Sequence, residues 1–155
     1  MNKADFVRRV RGCERRLYRV ARTLLSCDAD CEDAVQEALL RAWARRNSLR
    51  EEAFFETWLI RILINECRNI YRRSPQAEAE LPQNLSAAAY ETSPLFDALQ
   101  ALPQKLRIAL ELHYIEGYKT REIAQLLSLP ESTVKWRLAK ARRILKDELG
   151  EETRP

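Results

Sequence analysis

The stretch Thr120-Arg121-Glu122-Ile123-Ala124-Gln125-Leu126-Leu127-Ser128-Leu129-Pro130-Glu131-Ser132-Thr133-Val134-Lys135-Trp136-Arg137-Leu138 decides how the chain is read. Ile123, Ala124 and Leu127 recur at helical spacing, and Thr120 is placed to cap the short helix they imply. Ser128-Leu129-Pro130 breaks that pattern. Directly after it, Val134, Leu138, Ala141 and Leu145 fall within a narrow arc, so a longer helix is expected from Glu131 or Ser132 to about Leu149. Short helix, three-residue turn, long helix is the helix-turn-helix pattern. Ser132 to Lys146 holds six basic residues and no acid. With the apolar series turned inward, Ser132, Lys135, Trp136, Lys140 and Arg143 face outward, and Arg137 and Arg142 lie at the shoulders. A small hydroxyl residue at the helix start, cations behind it and a positive dipole end suit a recognition helix in a DNA major groove. A merely solvated basic helix accounts for the cations but not for an outward Trp136.

Upstream of this motif, Pro103 is expected to open a helix through Leu106, Ile108, Ala109, Leu110, Leu112 and Ile115, with Gly117 stopping it. Further upstream, residues 74–94 hold Pro75, Pro82 and Pro94, the acids Glu78, Glu80 and Glu91, and no Lys or Arg. Prolines at that density break helices and the apolar spacing has no period, so a flexible acidic linker is expected. It divides the chain into an N-terminal domain (1–73, net charge +5), the linker (74–94, net −3) and a C-terminal domain (95–155, net +2). The 155 residues carry 27 Lys+Arg against 23 Asp+Glu, and 46% hydrophobic content is a foldable composition. No apolar run exceeds four residues, which excludes a membrane-spanning helix. Three glycines leave little room for the tight turns of an all-β protein. The expected class is all-α: two small helical domains joined by the linker, the second a helix-turn-helix. Met1 to Arg9 carry an early acid and no apolar core, so no export signal is expected and the chain reads as cytoplasmic. Cys13, Cys27, Cys31 and Cys67 are scattered irregularly and His113 is alone, so neither a disulfide framework nor a metal set nor any cofactor is expected.

In the N-terminal domain, Phe6, Val10, Cys13, Leu17, Val20, Ala21 and Leu24 mark a first helix studded with arginines that read mostly as a solvated face. A second helix, capped by Asp28 or Asp30, turns Ala34, Val35, Ala38, Leu39, Ala42 and Trp43 inward, and Asp33, Gln36, Glu37, Leu40 and Arg41 partly outward. A polar loop spans Asn47 to Glu52. The third helix, Phe54 to Arg73, buries Leu59, Leu63, Cys67 and Ile70, widened by Ile60 and Ile64. Arg61, Asn65, Arg68 and Arg72 share one face at i, i+4, i+7 and i+11, flanked by Asn69 and Arg73. Such a face suits phosphates and base edges; an ordinary surface helix shows it too.

Taken together, the two halves resemble one family. Asp33-Ala34-Val35-Gln36-Glu37-Ala38 with Arg41-Ala42-Trp43, then Thr57-Trp58-Leu59-Ile60-Arg61-Ile62 leading to Asn65 and Arg72-Arg73, resembles the first conserved domain of bacterial RNA polymerase sigma factors. Leu102-Pro103, Gly117-Tyr118, Glu122-Ile123-Ala124, Ser132-Thr133-Val134-Lys135, Arg137-Leu138 and Ala141-Arg142 resemble their last domain. The chain is similar to the compact extracytoplasmic-function (ECF) group, which has these two domains and little else. The resemblance implies a non-enzymatic factor that binds core RNA polymerase and directs it to promoter DNA, and that in many members answers to an anti-sigma protein. It implies that Asp33, Gln36, Glu37, Leu40 and Arg41 dock the clamp helices of the largest polymerase subunit. It implies that the Asn47–Phe54 loop, with Trp58, Arg61, Asn65, Arg68, Asn69 and Arg72, opens the minus-10 element and holds unstacked bases. Ser132, Thr133, Lys135, Trp136, Arg137, Lys140 and Arg143 would then read the minus-35 duplex, and the acidic linker would thread the polymerase. The chain departs from the family pattern at Cys31, at Ser128, where glycine is frequent in the bend, and at Trp136, where a small polar residue is frequent. On the residues alone the alternative is a stand-alone helix-turn-helix regulator; an enzyme lacks a glycine-rich phosphate loop or a partner for its one His.

Overall fold

The computed structural model describes residues 1–73 and 94–153, so the expected linker lies, but for Pro94, outside the described residues. The chain forms two compact units, and among the described residues every regular element is helical.

The first unit is a three-helix bundle. Helix α1 (Lys3–Leu24) starts at Asn2, whose Oδ1 accepts the Asp5 N–H at 2.8 Å, and ends where Leu25 turns extended. It buries Phe6, Cys13, Leu17, Val20 and Ala21. Helix α2 (Asp28–Ala44) corrects one expectation: its cap is Cys27, whose Sγ accepts the Asp30 N–H at 3.3 Å, while Asp28 and Asp30 sit in the first turn and face the dipole instead. Its inward face is small: Ala34, Ala38 and Ala42, at i, i+4 and i+8, are fully buried and let α3 approach closely, whereas Leu39 and Trp43 are half-buried. Two single-turn 3-10 segments, Arg46–Ser48 and Glu52–Phe54, fill the expected loop and lead into α3 (Phe55–Arg73). Helix α3 packs on both α1 and α2 and seals Leu59, Ile60, Leu63 and Ile64 from water; Ile70, expected in the buried stripe, is half-exposed near the helix end. At one end Phe6 meets Trp43 and Phe55 edge-on (centroids 5.2 and 5.7 Å apart), and Phe55 lies against Trp58, so all three helices share one aromatic cluster. Arg9–Glu52 (2.6 Å) and Arg16–Glu56 (2.8 Å) tie α1 to the start of α3.

The second unit begins with a helix the sequence reading missed. Helix α4 (Pro94–Ala101) carries Pro94 at its first position, where a missing N–H is harmless, and buries Ala98. Helix α5 (Gln104–Leu110) then follows Pro103 and passes without a break into a π-helical turn, Glu111–Ile115, closed by the Glu116 N–H on the Glu111 carbonyl at 3.0 Å. Gly117 stops it at φ 81°. Lys119, not Thr120, is the cap of α6 (Thr120–Leu127): its N–H donates to Glu122 Oε1, and the Thr120 hydroxyl instead donates to Glu131 Oε1 at 2.9 Å, joining the two helix starts. Ser128 takes the left-handed conformation (φ 57°, ψ 49°) that the bend demands, and the Leu129 N–H on the Ala124 carbonyl completes a Schellman motif. Helix α7 (Glu131–Thr153) packs on α5 and α6 and buries Val134, Leu138 and Ala141, as α6 buries Ile123, Leu126 and Leu127, with Leu145 half-buried.

All four cysteines are free. Burial pushes the Cys13 thiol up to about 11 and that of Cys31 to about 12, and Cys67 is raised further for the same reason. A thiol reagent at pH 8 is therefore expected to modify exposed Cys27 promptly and the other three only on unfolding, as read by mass spectrometry; fast loss of a second thiol from the native chain contradicts this packing. Ser128→Gly removes the cost of a side chain at positive φ and is expected to stabilise the second unit by about 1 kcal/mol. Thermal denaturation should show a raised midpoint, and an unchanged or lowered one would mean that Ser128 carries no strain.

Candidate nucleic-acid and partner interfaces

Three surfaces carry the residues singled out from the sequence. On α2, Asp33, Gln36, Glu37 and Leu40 are all exposed on one side of the helix. Leu40 is 65% exposed, an aliphatic side chain held in water between acids and amides. Arg41 borders this face but also turns inward, its Nε on Glu66 Oε1 of α3 at 2.6 Å. Sequence reading had not singled out Glu66. The signal was there: it is an acid set between Ile64 and Cys67 in an otherwise apolar face, and only 3% of it is exposed.

Helix α3 turns Arg61, Asn65 and Arg72 to solvent, while Arg68 and Asn69 are half-buried beside them. Its N-terminal Trp58 is half-buried against Phe55, so part of its role is to finish the aromatic cluster. Directly before α3, Phe54 is expelled from that cluster and is 59% exposed, because it ends the Glu52–Phe54 turn rather than starting the helix. An exposed aromatic ring beside a row of Arg and Asn has what unstacked bases need: a flat apolar face, with cations and amides next to it.

On α7 the outward set is present as well. Ser132, Lys135, Trp136, Lys140 and Arg143 are exposed, and Thr133 and Arg137 are half-buried at the edges. Trp136 is 59% exposed, and its ring lies 4.9 Å from Lys140 Nζ, a cation–π contact within the surface itself. Lys135 pairs loosely with Glu131 at 3.6 Å, an exposed pair worth little and easily given up to a phosphate. Ile115, expected in the apolar series of its helix, and Tyr114 project to solvent from the π-helical turn, and Arg142 donates to the Tyr114 hydroxyl at 2.6 Å. His113 is half-buried with Nδ1 at 3.0 Å from the Tyr118 carbonyl, a structural arrangement. Among the described residues no cluster of His, Cys, Asp or Glu is placed to hold a metal ion, and no helix is long and apolar enough to cross a membrane.

Residues 9–76 match the sigma-70 region 2 family and residues 94–145 the sigma-70 region 4 family. The chain is 36% identical over 142 residues to the ECF RNA polymerase sigma factor SigM of Mycobacterium tuberculosis, covering 88% of this chain and 72% of that one. It is 30% identical over 134 residues to the ECF RNA polymerase sigma-E factor of Escherichia coli, covering 73% and 70%. Among solved structures it is similar to the sigma factor RpoE in complex with the anti-sigma factor NepR from Bartonella quintana (TM-score 0.76, 26% identity, 94% of this chain and 97% of that one). It is also similar to CnrH in complex with the cytosolic domain of CnrY (TM-score 0.72, 26% identity, 98% and 92%). An exposed cationic α3 in the unit that matches region 2, a helix-turn-helix in the unit that matches region 4, and ECF relatives matched across both units lead to one assignment: the chain belongs to the ECF group of sigma-70 RNA polymerase sigma factors, which direct promoter-specific transcription.

Proposed function

We propose how the work of a sigma factor is divided over this chain. The N-terminal domain, 1–73, docks on core RNA polymerase through the α2 face (Asp33, Gln36, Glu37, Leu40 and Arg41) and meets the clamp helices of the largest subunit. The same domain opens the minus-10 element and holds its parted strand with Trp58, Arg61, Asn65, Arg68, Asn69 and Arg72. The C-terminal domain, 95–155, reads the minus-35 element as duplex with Ser132, Thr133, Lys135, Trp136, Arg137, Lys140 and Arg143. The acidic segment 74–94 joins them along the polymerase. The factor has no turnover of its own and acts in the cytoplasm, where polymerase and chromosome meet. One structural neighbour was solved with an anti-sigma factor, and we read this chain as open to the same kind of control.

One observation supports the division best. Two different units each expose a cationic face of different character: Arg and Asn next to free aromatic surface on α3, and a hydroxyl, Lys, Arg and Trp on the N-terminal half of α7. The first composition suits single-stranded bases and the second suits a duplex groove. A stand-alone regulator has no use for the first. Each module is small, so tight promoter binding should require the polymerase to hold both at a fixed separation.

Run-off transcription with core polymerase is the direct test. The wild-type chain is expected to give promoter-specific transcripts and to bind duplex weakly by itself; tight duplex binding without polymerase would favour the stand-alone regulator. Trp136→Ala should leave thermal stability unchanged and weaken minus-35 duplex binding about tenfold, the scale of one good base or sugar contact. Asn65→Ala with Arg61→Ala should spare duplex binding but reduce strand opening, seen as lost permanganate reactivity of unpaired thymines. If both substitutions damage the same step equally, the proposed division fails.

A further inference from the structure

Glu66 is a carboxylate where α3 is otherwise apolar. Ile64 and Cys67 near it are buried, Glu66 itself is 3% exposed, and its contact is the Nε of Arg41 at 2.6 Å. A buried carboxylate needs a charged partner, yet replacing it with an apolar side chain of like volume would serve packing as well or better. Neutralising it would also not require arginine. The informative half of the pair is the other end. The Arg41 side chain is 46% exposed, although its Nε is held on Glu66. A guanidinium is a rigid plane, so a grip on Nε fixes the direction in which both terminal nitrogens point. Arg41 lies one turn beyond Glu37 on α2, and Asp33, Gln36, Glu37, Leu40 and Arg41 are all exposed there.

We propose that Glu66 is a positioning residue for partner docking: it holds the inner edge of Arg41 and aims the outer nitrogens at a carboxylate or backbone carbonyl of the polymerase. This rests on the assignment of the α2 face given above. A free arginine on a surface loses rotamer freedom when a partner arrives; Arg41, held from below, loses it when the unit folds. The pair also joins α2 to α3 beside the alanine stripe that already packs the two helices together.

The test is the dissociation constant of the full chain for core RNA polymerase, with thermal denaturation in parallel. Glu66→Met removes the buried charge and lets Arg41 turn to water without stranding it. Arg41→Lys keeps Glu66 paired but offers no second nitrogen in a fixed plane. Each is expected to weaken polymerase binding about three- to tenfold, the scale of ordering one long side chain, with the melting midpoint nearly unmoved. The double variant should be no weaker than the worse single one. Arg41→Lys weakened with Glu66→Met at wild-type affinity overturns the positioning role and leaves the α2 assignment intact. Both at wild-type affinity removes Arg41 from the interface, and the proposal with it. A wild-type chain that does not bind core polymerase defeats the α2 assignment itself. Should Glu66→Met fail to fold, Glu66→Gln keeps the shape with a weaker hold and carries the same expectation.

Discussion

Leu59, Ile60, Leu63 and Ile64 are wholly shut off from water, and the rest of the N-terminal unit is arranged around them. A bundle of about seventy residues has little core to spare, and each such side chain contributes on the order of 1.5–3 kcal/mol when buried. Helix α3 therefore cannot roll. Because α1 covers one flank and the alanine stripe of α2 lets it come close on the other, the remaining strip of α3 has a direction fixed by packing. Arg61, Asn65 and Arg72 occupy that strip. The cations owe their aim to the aliphatics behind them, and substituting within the core would misdirect the surface before it unfolded the unit.

The second unit solves the same problem with a tighter bend. Val134, Leu138 and Ala141 form the buried side of α7, which packs on α5 and α6, and the bend between α6 and α7 passes through a left-handed backbone at position 128. Thr120 and Glu131 close the opposite side of the corner with a hydroxyl–carboxylate contact. Trp136 is thus carried, exposed, on the helix that leaves this corner.

Periodicity made the three long helices and the helix-turn-helix readable, because a helix that buries one side must repeat its apolar residues at three or four. The surface faces on α2, α3 and α7 followed from the same repeat. What escaped was set by other physics. Helix α4 is too short to show a period and begins at a proline, which looks like a breaker. The caps lie earlier than expected, at Cys27 instead of Asp28 or Asp30 and at Lys119 instead of Thr120, because a thiol and a following glutamate took roles that propensity assigns to Asp and Thr. Phe54 was placed at the helix start by its apolar character, yet the Glu52–Phe54 turn carries it outside. Glu66 was hidden by its surroundings, since an apolar stripe is read through its majority and a lone acid within it passes as noise.

The π-helical turn at Glu111–Ile115 amounts to one surplus residue absorbed into a helix without breaking it. Each residue of a helix advances the chain by about 100°, so the surplus rotates everything beyond it relative to an unbroken helix. Leu112 stays inside, while Tyr114 and Ile115 are swung out. Excising a single residue there would regularise the helix and turn Gly117, and with it the entry to the helix-turn-helix, through about 100°. That stretch should accordingly resist shortening far more than it resists exchange of one side chain for another, and its length is as much a part of the fold as its composition.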